Sequence, residues 1–147
     1  MQRQAFDFQG LRLSYLEAGE QNAEKLVIAH ANGYAAGMYA YIIEALAGRF
    51  HICALDFAGH GESEGTLHFS SWNFFRDQLL ALLDHKGWGK AHAIGHSLGG
   101  HNAIYTALQE ERLRVVVTSC AFDAFVDYMG GNITGWTQDR YLPRLKP

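Results

Sequence analysis

Apolar and polar positions alternate at the start of the chain. QAFDFQG, followed by LRLSYLEAG, shows a period of two with glycine closing each run, which predicts an antiparallel hairpin or ribbon. From Lys25 the pattern changes to short, continuously apolar runs. KLVIAH (Lys25–His30), HICALD (His51–Asp56), KAHAIGH (Lys90–His96) and LRVVVTSC (Leu113–Cys120) predict strands covered on both faces. Stretches of helical spacing lie between them. In AGMYAYIIEALAGRF, Met38, Tyr41, Ile42, Ala45 and Leu46 share one face, expected to point inward, with Gly48 as C-cap. Ser70 or Ser71 is expected to cap a second helix whose inner face carries Phe75, Leu79, Leu82 and Leu83. SLGGHNAIYTALQEE predicts a third, with Ala103, Ile104, Ala107 and Leu108 inward. Strands alternating with helices of this length predict an α/β fold, a mainly parallel sheet with helices on both faces. After Asp123 the pattern dissolves, so residues 1–124 read as one domain and 125–147 as the start of a lid or an irregular tail.

Composition narrows the classes. A chain of 147 residues, 48% hydrophobic and 18% charged, suffices for one domain with a core of its own. Net charge is −3 with Lys and Arg scattered, so no basic footprint for nucleic acid is visible. No apolar run reaches membrane-span length and the amino terminus lacks a signal-peptide core, which gives a cytoplasmic location and no membrane partner as expectations. Cys53 and Cys120 each sit in an apolar run and are expected to be buried as small hydrophobes rather than paired.

The candidate chemistry lies at the carboxyl ends of the predicted strands, where ligands bind in parallel sheets. GHSLG (Gly95–Gly99) places Ser97 between glycines at a strand-to-helix turn. Such a serine is either a nucleophile raised above the sheet at a helix N-terminus or a plain helix cap. The loop HANGYAAG (His30–Gly37) carries small residues that would let backbone N–H groups face a substrate oxygen. In LDFAGHGES, Asp56 is expected to fix its loop through backbone hydrogen bonds, while His60, Glu62 and Glu64 lack metal-ligand spacing and are expected to be solvated.

Taken in order, HANGY, DFAGHGES and GHSLGG resemble the α/β-hydrolase family over roughly residues 5 to 123. The resemblance implies that Ser97 is the nucleophile, that the Leu98 N–H gives one oxyanion contact, and that Asn32, with Gly33 as a rival, gives the other. Serine at the elbow implies acyl transfer through a serine ester rather than attack by a carboxylate, as in dehalogenases and epoxide hydrolases. It implies an ester, thioester, amide or C–C bond hydrolase acting on a small acyl-type substrate, with no cofactor or metal. The triad order of the family is serine, acid, histidine. Asp123 is a candidate for the acid, with a turn or cap residue as the other reading. All eight histidines lie at or before His101, so the triad histidine is missing from this stretch. His30 is the best substitute base, ahead of His96 and His101. The resemblance also implies that the last strands and most of the lid are lacking and that this is an N-terminal portion. VVVTSC would then be an open edge strand, inviting self-association or a complementing C-terminal half. The competing reading is a non-catalytic binding or scaffold module that keeps the elbow without its base.

Overall fold

The computed structural model describes residues 1–65, 71 and 73–121. The opening alternation folds as expected into an antiparallel pair, β1 (Gln2–Phe8) and β2 (Leu11–Ala18). Gln9 and Gly10 join them with positive φ at both positions, the backbone that a tight hairpin turn demands. The apolar runs become β3 (Glu24–Ala29), β4 (Phe50–Leu55), β5 (Ala91–His96) and β6 (Leu113–Ser119). The six strands form one sheet in the order β1-β2-β4-β3-β5-β6, with β4, β3, β5 and β6 mutually parallel.

Both faces of the central strands are covered, which is why they lack alternation. β6, expected from its apolar run to be covered as well, is mostly exposed, because it has no neighbouring strand on its outer side among the described residues. Val27, Ala29, Cys53 and Leu55 face α2 (Asn73–His85) and α3 (Leu98–Ala107), meeting Leu79, Leu82, Leu83 and Ala103. Leu26, Ile28, Ile52 and Ala54 face the other way, onto a 3-10 turn (Ala36–Tyr39) and α1 (Ala40–Leu46).

Three expectations need correcting. The inner face after β3 is Ala36, Tyr39 and Ile43, whereas Met38, Tyr41 and Ile42 are exposed. The segment is apolar almost all round, and its 3-10 start shifts the phase of a face inferred from α-helical spacing. In α3, Gly99, Asn102, Ala103 and Thr106 are buried, while Ile104 and Leu108 are exposed. Close glycine packing at the start of that helix chooses the buried face, overriding the apolar count. Cys120 is exposed, with φ +54 just beyond β6, while Cys53 is fully buried. The helix expected near Ser70 or Ser71 begins at Asn73, whose N–H donates to Ser71 Oγ at 3.2 Å. Its inner face is Phe75, Gln78, Leu79, Leu82 and Leu83.

As expected, β6 is an edge strand among the described residues, with β1 at the opposite edge. Val115 and Val117 are more than half exposed on it. Beside them an apolar groove of about 310 Å³ is lined by Leu26, Leu46, Phe50, Ile94 and the two valines.

Candidate active site

Ser97 stands between β5 and α3, with φ 53° and ψ −119°. This region is sparsely populated by L-residues and costs about 1–3 kcal/mol, so the surroundings must impose it. They do so through glycine contacts. A Cβ on Gly95 would overlap the Gly99 carbonyl and the Gly100 backbone, and one on Gly99 would overlap the carbonyls of Ala29 and His30. A Cβ on Gly100 would lie 2.9 Å from that of Ala121. The strand and helix therefore meet at a separation only glycine permits. The turn is pinned further by the Ser97 N–H donating to the Ser119 carbonyl at 2.7 Å, and by its carbonyl accepting from the His101 N–H at 3.1 Å. The serine hydroxyl makes no capping hydrogen bond to α3, so the plain-cap reading lacks its defining contact.

The loop after β3 lies beside this turn, because β3 and β5 are neighbouring parallel strands. Asn32 and Gly33 are exposed at its tip, and Gly33 takes φ +75° where the Tyr34 N–H closes onto the Ala31 carbonyl at 3.0 Å. Leu98, the residue after Ser97, is buried in the first turn of α3. Ser97, Leu98 and Asn32 thus share the carboxyl edge of the sheet. Asp123 lies outside the described residues.

His30 does not have the surroundings of a base for Ser97. It is 2% exposed, and its Nε2 accepts the Phe57 N–H at 3.0 Å. The ring proton is therefore on Nδ1, which donates to the Ala31 carbonyl at 2.7 Å. Burial pushes its pKa down to about 4, so it stays neutral and tied on both sides. Its role is to lock the loops after β3 and β4 together. His96 is also occupied at Nδ1, by the Tyr39 hydroxyl at 3.0 Å on the α1 side of the sheet.

Asp56 behaves as the sequence suggests. It is fully buried and accepts the Ala36 N–H at 2.6 Å, the Glu62 N–H at 3.2 Å and the Arg3 guanidinium at 2.7 Å. A Cβ on Gly61 would run into that carboxylate, which explains the glycine. His60 corrects expectation: it is buried against His30, ring centroids 4.9 Å apart, while Glu62 and Glu64 are exposed.

A second polar cluster escaped the sequence reading. Glu17 on β2 is in register with Cys53 on β4, and His51 lies two residues along the same face. Their ligand-type atoms lie within 4.8 Å of one another, and all three residues are buried. The Lys86 ammonium already contacts Glu17 Oε1, and His51 Nε2 lies 2.5 Å from the same oxygen. Burial alone would raise the Glu17 pKa, yet its hydrogen bonds to Lys86 and His51 hold it below the usual range. Burial, aided by Glu17, pushes the Cys53 thiol up, so it stays protonated. The cluster is a buried ion-pair network whose cation is Lys86. Only the register of β2 on β4 brings its members together, and no motif signals it.

The comparisons agree with this architecture. Residues 25–146 match the family described as alpha/beta hydrolase fold. The chain is 37% identical over 91 residues to the dihydrolipoyllysine-residue acetyltransferase component of an acetoin cleaving system from Pseudomonas putida, covering 62% of this chain and 25% of that protein. It is 30% identical over 138 residues to 3-oxoadipate enol-lactonase 1 of Acinetobacter baylyi, covering 94% of this chain and 48% of the relative. The crystal structure of epoxide hydrolase A from Mycobacterium thermoresistibile superposes with a TM-score of 0.74 at 29% identity, over 80% of this chain and 38% of that one. The chain thus spans half or less of the length of these relatives. With the sheet order, the glycine-packed turn at Ser97 and a match over most of its length, the chain belongs to the alpha/beta hydrolase fold family.

Proposed function

We propose that this chain carries the nucleophile and oxyanion side of a serine hydrolase that works through an acyl-enzyme. The observation that carries the reading is the backbone of Ser97: φ 53° and ψ −119°, held by glycines that admit no side chain, with the hydroxyl left out of capping. Strain of this kind has no purpose in a helix cap, and the hydroxyl makes no capping hydrogen bond to α3. In the proposed step Ser97 Oγ attacks the substrate carbonyl carbon, and its proton passes to a base. The carbonyl oxygen becomes an oxyanion, met by the N–H groups of Leu98 and of Asn32. Collapse expels the leaving group and leaves an ester on Ser97, which water then cleaves.

The lactonase and acetyltransferase relatives, named for acyl chemistry, support an acyl substrate. The epoxide hydrolase likeness supports the fold, while serine at position 97 favours acyl transfer over carboxylate attack on an epoxide. With His30 and His96 held by their hydrogen bonds at Nδ1 and all histidines at or before His101, we place the base and its acid beyond the described residues, with Asp123 the acid candidate. A second reading follows from the same facts, a binding module that retains the elbow without a base. A fluorophosphonate probe separates them. Labelling at Ser97 that vanishes in Ser97→Ala supports the hydrolase, and no labelling even alongside the polypeptide that completes the fold supports the binding module.

A further inference from the structure

The backbone ladder between β3 and β5 ends at the pair Ala29 and Gly95. Beyond it the chain on one side becomes the Ala31–Gly33 loop, and on the other the turn at Ser97. In the proposed reaction these two segments act on one substrate carbonyl, so their spacing must be held.

Tyr39 bridges them. Its hydroxyl accepts the Ala31 N–H at 3.0 Å and lies 3.0 Å from His96 Nδ1. Ala31 and Tyr39 are both buried, and that N–H would otherwise be an orphaned donor. The ring is anchored in the core on the α1 side with Ala36 and Ile43. Burial raises the phenol pKa, so the hydroxyl stays protonated, and with its oxygen accepting the Ala31 N–H it has a proton to share with His96 Nδ1. Tyr34, from the same loop, adds an edge-on ring contact to His96 at 5.8 Å.

We infer that Tyr39 is a positioning residue whose hydroxyl, between Ala31 and His96, sets the distance from the oxyanion-side loop to the Ser97 turn. Its consequence for reactivity rests on the nucleophile reading of Ser97; its consequence for the loop does not. One hydroxyl contacts the immediate neighbours of Asn32 and of Ser97, which makes it a side-chain tie between the two halves of the site.

The test uses the full chain and two readouts. Loss of one buried hydrogen bond changes an opening equilibrium by about tenfold. In Tyr39→Phe, amide exchange at Ala31–Gly33 is expected to quicken by about tenfold, with Val27 and Ile28 in β3 unchanged. His96→Leu should do the same, while His96→Asn, whose amide oxygen replaces Nδ1 as acceptor, should exchange like the parent. The His96 pair carries the test should Tyr39→Phe not fold. Unchanged exchange in His96→Leu, or equal quickening in the Leu and Asn variants, overturns the inference. The fluorophosphonate labelling rate should fall in Tyr39→Phe and His96→Leu and recover in His96→Asn. A parent chain that does not label even alongside the polypeptide that completes the fold sinks the nucleophile reading alone, and the exchange data still decide the role of Tyr39.

Discussion

At Ser97 the backbone strain and the chemistry can be separated by substitution. Glycine accepts φ 53° and ψ −119° without penalty, so Ser97→Gly should stabilise the chain by about 1 kcal/mol in denaturant unfolding while removing any fluorophosphonate label. A destabilised Ser97→Gly would mean that the serine side chain is structural. Gly99→Ala has the opposite sign. It drives a methyl into two backbone carbonyls and should cost about 1–3 kcal/mol. His30 gives a pH test. Its folded pKa of about 4 lies below the ordinary 6.5, so the folded state disfavours the charged ring. The stability it contributes is full above pH 6.5 and falls as the pH drops toward 4, by about 1.4 kcal/mol per unit. Between pH 7 and 5 the loss from His30 is about 2 kcal/mol. His60 is shifted the same way by burial and adds to it. Urea melts of the parent and of His30→Asn across this range should show a flatter dependence in the variant.

At the scale of elements, the helical face after β3 offers a direct check, because spacing and structure disagree about it. Ile43→Ala empties a fully buried site and should cost about 2–4 kcal/mol, whereas Met38→Lys at a 67% exposed position should change stability by about 0.5 kcal/mol or less. The reverse order would restore the face that α-helical spacing suggests. Elements whose period is unambiguous were legible in the sequence. The β1–β2 alternation, the four apolar strands and the Phe75/Leu79/Leu82/Leu83 stripe of α2 all appear where expected. The faces of α1 and α3 were not, because both segments carry apolar residues on more than one side. In α3 the choice is made by Gly99 meeting the β3 carbonyls.

Across the described residues of the molecule, the sheet runs from β1 at one edge to β6 at the other. β1 and β2 extend it past β4, with Arg3, Ser14 and Ser63 fastened to Asp56 and its loop. β6 presents exposed valines beside an apolar groove. An exposed apolar edge promotes association between chains. The purified chain is therefore expected to self-associate in sedimentation velocity, and Val117→Lys to shift it toward monomer. A monomeric parent would refute this.

The order of strands and helices, the position of Ser97 in a strand-to-helix turn, and the glycines around it follow from local pattern. Periodicity and turn chemistry act over a few residues and need no partner. What required the tertiary structure is every relation between distant segments. Those are the burial that keeps His30 neutral, the β2–β4 register that gathers Glu17, His51 and Cys53, and the Tyr39 hydroxyl between Ala31 and His96. Each depends on which strands become neighbours, and that choice is made by packing across the sheet rather than by any residue's own preference.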